Sequence, residues 1–300
     1  MTPSPLSEAA AAPARYAVFG NPIAHSRSPD IHAAFAAATG QVIEYTRLAA
    51  PLDGFTDAIA DFAAQGGQGC NVTVPFKFEA YGLGARVTDR ARLAGAANAL
   101  MRTTEGWLAD NTDGAGLMRD LQINAGWPVA GRRVLLIGAG GAAAGVLGPL
   151  LGCQPAELVL ANRSPDKARA LAATHQSWAD ACGVVLSVCD LTQPGLAFDL
   201  VINASASSLG GAAAPVPAEV LGPNSHAVDL MYGPAAQRFL DWAAAHGAKV
   251  RDGLGMLVEQ AAESFALWRG VRPDTAPVLQ ALRDQLAAEA VKPDPAKAAP

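Results

Sequence analysis

Three hundred residues, 51% of them hydrophobic, are enough chain for two domains with real cores. A net charge of −5 without a basic cluster excludes nucleic acid and anionic membrane surfaces as expected partners. Cys70, Cys153, Cys182 and Cys189 show neither CxxC nor His-interleaved spacing, so they read as buried reduced thiols of a cytoplasmic protein without a metal site.

The N-terminus lacks the basic-then-apolar order of a signal peptide, and residues 1–14 and about 290–300 read as disordered Ala/Pro-rich tails. Tyr16 to Gly20 is a short strand. Ser28-Pro29 then offers an N-cap and a first-turn proline for a helix to about Thr39. A strand over Val42 to Leu48, a helix over Leu52 to Gln65 and a strand over Cys70 to Val74 follow, with Pro75 opening a further helix. This β-α-β-α order predicts a mostly parallel sheet covered by helices, an α/β substrate domain.

Polar residues sit where packing does not ask for them. Ser26 and Ser28 flank one residue at a strand's carboxyl end, where α/β sheets place ligands; as plain turn and cap residues they read equally well. Lys77 lies just inside a helix, unfavourably placed against the helix dipole, which favours a functional role. Asn98 lies among small residues, and Asp113, taken alone, is the N-cap of the helix after it.

A second unit begins near residue 113. Val134 to Ile137 reads as a strand buried on both faces, and Gly138, Ala139, Gly140, Gly141 and Ala142 follow at once. Gly138-x-Gly140-x-x-Ala143 is the dinucleotide fingerprint in its Gly/Ala form: a tight turn, a close approach for pyrophosphate, and close helix–strand contact. Val134 to Leu151 carries no charge, but its five glycines and Pro149 exclude a membrane span. The next strand, Glu157 to Ala161, ends in Asn162-Arg163-Ser164 with Lys167 beyond. A 2′-phosphate needs a cation there, so Arg163 favours NADP over NAD, although Asp166 is close by. Strands are expected at Phe198 to Asn203, His226 to Met231 and Ala248 to Arg251, and helices near 165–182 and 234–246. The helical pattern Met256 to Arg269 is expected to return to the first domain. The division is therefore 1–112 with 253–300 for the substrate unit and 113–252 for the Rossmann unit.

Taken together, Tyr16 to His32, Asn71 to Lys77, Asp110 to Gly114, Leu135 to Ala143 and Asp252 to Ala262 resemble the shikimate dehydrogenase family in order and spacing. The resemblance implies a two-domain, metal-free enzyme that reversibly reduces 3-dehydroshikimate to shikimate with NADPH in aromatic biosynthesis. It implies that Lys77 is the catalytic lysine and Asp113 its carboxylate partner. By the same likeness Ser26 and Ser28 grip the substrate carboxylate, and Thr73, Asn98 and Gln260 bind its hydroxyls or hold it in place. Tyr232 matches the aromatic residue closing the site. Gly138, Ala139, Gly140, Gly141, Ala142, Asn162, Arg163, Ser164 and Lys167 match cofactor positions, with Leu230 and Gly253 near the nicotinamide.

Two places depart from the family pattern. Ala97 and Ala99 replace the usual valine and threonine, read as lying beside the substrate, and Asn203-Ala204-Ser205-Ala206 replaces Asn-Ala-Thr-Ser near the cofactor. These leave room for a paralogue preferring quinate or an amino-substituted shikimate. An NAD-dependent quinate/shikimate dehydrogenase is the nearest rival, opposed by Arg163 and the intact serine pair. A noncatalytic dinucleotide sensor would have no need of Lys77 and Asp113 together. Monomer and homodimer both remain open.

Overall fold

The computed structural model describes residues 12–205 and 214–291. The two tails and Ala206 lie wholly or in part outside the described residues. Two six-stranded sheets organise the chain. The first holds β1 (Ala14–Gly20), β2 (Ile43–Ala49), β3 (Gly67–Val72), β4 (Gly84–Val87), β5 (Ala99–Thr103) and β6 (Gly106–Asp110), in the order β2-β1-β3-β5-β6-β4. It is mostly parallel, as the alternation of elements predicts; β5 alone runs antiparallel to both its neighbours.

Its helices are α1 (Ser28–Thr39), α2 (Phe55–Ala64), α3 (Lys77–Gly82) and α4 (Asp89–Ala94). Alternate residues of β1 and β3 point into an aromatic core. Phe19 meets Phe55 and Phe62 edge-on there, and Phe55 stacks on Phe76 at 4.7 Å between ring centroids. Two local expectations are corrected. Ser28 is not an N-cap: Arg27 precedes the helix without a side-chain cap, and Ser28 and Pro29 occupy its first turn. Pro75 does not open a helix: the Val74-Pro75 bond is cis, and α3 begins two residues later at Lys77.

The second sheet holds β7 (Arg133–Ile137), β8 (Glu157–Ala161), β9 (Val185–Cys189), β10 (Phe198–Asn203), β11 (Leu221–Asp229) and β12 (Lys249–Arg251). Their order, β12-β11-β10-β7-β8-β9, is all parallel and reverses direction between β10 and β7, the doubly wound arrangement that opens a ligand crevice at the switch point. Helices α6 (Gly141–Gly152), α7 (Pro165–Cys182) and α8 (Pro234–Ala245) cover it. No helix among the described residues is long and apolar enough to cross a membrane.

Two helices tie the sheets together: α5 (Asp113–Arg119), extended by a π-helical turn over Asp120–Asn124, and α9 (Leu254–Arg269). They pack so closely that a methyl group on Gly116 would lie 2.6 Å from the Gln260 backbone nitrogen. Below them, Asp120, 1% exposed, takes a forked pair of bonds from Arg251 at 2.6 and 2.5 Å. The apolar face of α9 meets Ile31 and Phe35 of α1, and α10 (Ala276–Val291) closes that layer with Val278 and Leu282. All four cysteines are free thiols, but only Cys70 is buried; Cys153, Cys182 and Cys189 are half-buried, short of the expected full burial.

Candidate active site

The end of β3, the segment leading into β5 and both connecting helices meet around Lys77. After β3 the chain turns through Thr73-Val74-Pro75, held by a bond from the Thr73 amide to the Phe19 carbonyl, and Phe76 is buried against Phe55. That anchor fixes Lys77 as the first residue of α3, with its side chain mostly buried. Its Nζ donates to Asp113 Oδ2 at 2.5 Å. The first turn of α3 carries Glu79, but the carboxylate that meets the ammonium directly is that of Asp113. Asp113 stands at the start of α5 and does not cap it: its carboxylate is taken up by Lys77 and Asn98.

Asn98 has a fixed orientation. The Thr112 amide donates to its Oδ1 at 2.7 Å, which leaves Nδ2 to donate to Asp113 Oδ1 at 2.8 Å and to Gln260 Oε1 at 3.1 Å. Gln260 in turn donates from Nε2 to the Leu257 carbonyl at 2.8 Å. Asn98, Asp113 and Gln260 are all buried, so each bond replaces water the groups cannot reach. The arrangement assigns one carboxylate oxygen to Lys77 and the other to the amide, so the ammonium is held where a substrate oxygen can reach it.

The polar set extends beyond the residues singled out from the sequence. Thr112 Oγ1 lies 3.2 Å from Ser264 Oγ, Asn71 Nδ2 donates to Ser264 Oγ at 2.9 Å, and the Tyr45 hydroxyl donates to Asn71 Oδ1 at 2.8 Å. One signal was available for Ser264: it lies four residues after Gln260, on the same face of α9. Tyr45, Asn71 and Thr112 carry none that distinguishes them from ordinary core polar groups.

Ser26 and Ser28 come together at the carboxyl end of β1. Ser26 Oγ donates to Ser28 Oγ at 3.1 Å and accepts from the Ser28 amide at 3.3 Å. Tyr232 lies near this turn, beyond β11, and burial pushes its phenol above its usual range. Thr73 is half-exposed beside the same strand end: a methyl on Gly20 would lie 2.5 Å from its Cγ2. Ala97 and Ala99 do not lie beside a ligand as expected: both have no exposed surface, and Ala97 belongs to the apolar core.

The glycine turn of the second sheet faces this cluster. Gly138 has φ +114°, and a methyl there would lie 3.0 Å from the Ala204 carbonyl group. Gly140 precedes α6 with no capping side chain and nothing within 4 Å of its missing Cβ, so the first amides of α6, at Gly141, Ala142 and Ala143, are left for an anion. A methyl on Gly141 would lie 3.1 Å from Lys77 Cβ, which brings the turn against the lysine stem.

Beside the turn is a pocket of about 180 Å³ lined by Ala139, Gly140, Asn162, Arg163, Ser164 and Lys167. It offers two cations and no carboxylate. Asp166 faces away, paired with Arg169 at 2.6 Å. Leu230 and Gly253 meet at the far side: a methyl on Gly253 would lie 2.2 Å from the Leu230 carbonyl oxygen, and the Gly253 amide bonds the Met231 carbonyl at 2.8 Å. An uncapped helix start, an open glycine and a cationic pocket fit NADP. Arg163 and Lys167 would hold its 2′-phosphate and the amides of α6 its pyrophosphate. Among the described residues, no group of three or more His, Cys, Asp or Glu is placed to hold a metal ion.

A doubly wound sheet with a cationic dinucleotide pocket, facing a buried Lys–Asp pair on a second α/β unit, defines a two-domain NADP-dependent oxidoreductase. The chain belongs to the shikimate dehydrogenase family. The family's substrate-binding domain matches residues 18–100, the shikimate/quinate 5-dehydrogenase model matches 122–209, and the C-terminal domain of shikimate 5′-dehydrogenase matches 253–283. The shikimate dehydrogenase (NADP(+)) of Methylibium petroleiphilum is 61% identical over 280 residues, covering 91% of this chain and 95% of that protein. The Thermus thermophilus shikimate 5-dehydrogenase structure in complex with NADP(H) and shikimate is 32% identical, with a TM-score of 0.79 over 90% of this chain and 99% of that one. A ligand-free 5-ketofructose reductase of Gluconobacter is also similar, 28% identical with a TM-score of 0.78 over 91% of this chain and 99% of that one.

Proposed function

We propose that this protein is an NADP-dependent shikimate dehydrogenase that reversibly reduces 3-dehydroshikimate to shikimate in aromatic biosynthesis, with Lys77 and Asp113 as its acid/base pair. The observation that carries the reading is the 2.5 Å contact between Lys77 Nζ and Asp113 Oδ2, with Gly141 of the dinucleotide turn against the lysine stem. Residues 1–112 with 253–300 form the substrate-binding unit and 113–252 the NADP-binding unit. The enzyme works in the cytoplasm on a small-molecule substrate.

When bound, NADPH supplies the hydride that adds to the substrate's carbonyl carbon. The carbonyl oxygen then needs a proton, and the Lys77 ammonium gives it, becoming a neutral amine; in the oxidative direction the amine takes the proton back from the hydroxyl. Asp113 holds the ammonium in line through one oxygen, and Asn98 holds Asp113 through the other. Ser26 and Ser28 bind the substrate carboxylate. Thr73, Asn98 and Gln260 bind its hydroxyls or hold it in place, and Tyr232 closes the site.

The test is Lys77→Ala. General acid/base catalysis contributes about 10²–10⁴ to rate, so kcat should fall about a thousandfold while shikimate KM changes by less than about threefold. A large rise in KM with kcat intact would assign Lys77 to binding and remove it from proton transfer.

A further inference from the structure

On the reading above, the clamp of Ser26 and Ser28 holds a carboxylate, yet neither serine carries charge. Moving an anion out of water against neutral hydroxyls is costly, and a chain of net charge −5 adds repulsion at long range. A cation near the clamp would offset both. Two stand beside it. Arg27 lies between the serines, but its guanidinium is 2.5 Å from Glu289 of α10, which neutralises it.

Arg47 is placed differently. On β2 it lies two residues beyond Tyr45, whose ring stacks at 4.2 Å on His32 of α1; the strand period puts Arg47 on that same face, nearer the carboxyl end of the sheet. Its Nε donates to the Ser26 carbonyl at 2.7 Å, which ties the guanidinium to the clamp itself. Its acidic neighbour, Asp30, is 3.6 Å away, beyond hydrogen-bonding distance and more than 1 Å farther than Glu289 is from Arg27, so Arg47 is the less fully paired of the two. Both arginines also act on the Tyr232 hydroxyl, at the same end of the cleft.

We infer that Arg47 is a positioning and specificity residue for the substrate's carboxylate, supplying through Ser26 the counter-charge that the neutral serine clamp lacks. It acts on how tightly an anionic substrate is held and not on proton transfer, so its loss should appear in KM and not in kcat. The inference rests on the shikimate reading, but its success or failure can be told apart from that reading's.

The experiment compares wild type, Arg47→Met and Arg47→Lys with shikimate across a range of ionic strength, and with methyl shikimate, the uncharged ester, as a competitive inhibitor. Arg47→Met should raise shikimate KM about five- to tenfold, keep kcat within about twofold and flatten the dependence of kcat/KM on salt. Its inhibition constant for methyl shikimate should match that of wild type. Arg47→Lys, which keeps the charge and loses the planar donor, should recover most of the KM and the salt dependence. An unchanged KM in Arg47→Met overturns the inference. So does a parallel weakening of shikimate and its ester, because Arg47 would then only shape the turn. If wild type oxidises no shikimate, the functional reading itself falls; if wild type is active and Arg47→Met is kinetically unaltered, only this inference does.

Discussion

The two halves of the cleft are built in opposite ways. On the substrate side, Lys77, Asp113, Asn98, Thr112 and Gln260 form a buried set in which each polar group is already bonded to another. On the cofactor side, Gly140 faces open space, and Arg163 and Lys167 are exposed around a shallow pocket. The first arrangement fixes donors before the ligand arrives, as chemistry at one atom requires. The second uses backbone amides and exposed cations, which suits a large anionic ligand that must enter and leave. Removing one member of the buried set should therefore disturb its neighbours, whereas removing one exposed cation should affect only the contact it makes.

After the loss of Lys77 itself, the largest effect expected from breaking this contrast is at Asn98. Asn98→Leu removes the donor that orients Asp113 and leaves the buried Asp113 Oδ1 and the Thr112 amide without the partner they have now, so kcat should fall about a hundredfold. Steady-state kinetics with saturating NADP would show it, and a kcat within about threefold of wild type would mean that Asp113 does not depend on the amide.

The next effect concerns stability on the substrate side. His32 is fully buried, and desolvation holds its imidazole down at about 3. Its folded pKa lies below the unfolded value, so the unfolded chain binds the extra proton and stability is lost as pH falls from about 6.5 toward 3. Near pH 5 the loss should be about 2 kcal/mol relative to neutral pH, and His32→Phe should remove that slope. Denaturant unfolding at the two pH values decides it; parallel losses in both proteins would contradict the buried neutral imidazole.

The smallest effect belongs to the open side. Arg163→Ala should raise KM for NADP about tenfold and leave NAD nearly unchanged, since only the 2′-phosphate needs the cation. Equal weakening of both cofactors would show that Arg163 does not read that phosphate.

The same contrast governs how much could be read from the sequence. The cofactor side is local: the glycine turn, α6 and Arg163 lie within one strand-turn-helix-strand unit, so their spacing carries the chemistry. The substrate side is assembled from distant pieces. Asn71 and Ser264, 193 residues apart, share a hydrogen bond that no spacing announces. Lys77 stands out because a cation at a helix start needs a partner, but the hydroxyls behind the amide that holds that partner, Thr112 and Ser264, look like ordinary buried ones. The strands β4, β5 and β6 were missed for a different reason. β4 has four residues and no apolar alternation, and the β5–β6 hairpin turns through Thr104-Glu105 without the Asn-Gly or Asp-Gly signal, relying on Gly106 at φ +122°. Ala97 and Ala99 were read as ligand-facing from their neighbour Asn98. Burial places them out of reach, with Ala97 in the aromatic core of the first sheet.

The most direct test of the whole account is a matrix of initial rates with shikimate and quinate, each with NADP and with NAD, at one protein concentration. The serine clamp, the Lys77–Asp113 pair and the cationic pocket together predict that the shikimate/NADP combination dominates. Comparable or faster rates with quinate, or with NAD, would contradict the account and move the protein to a different substrate or cofactor within its family.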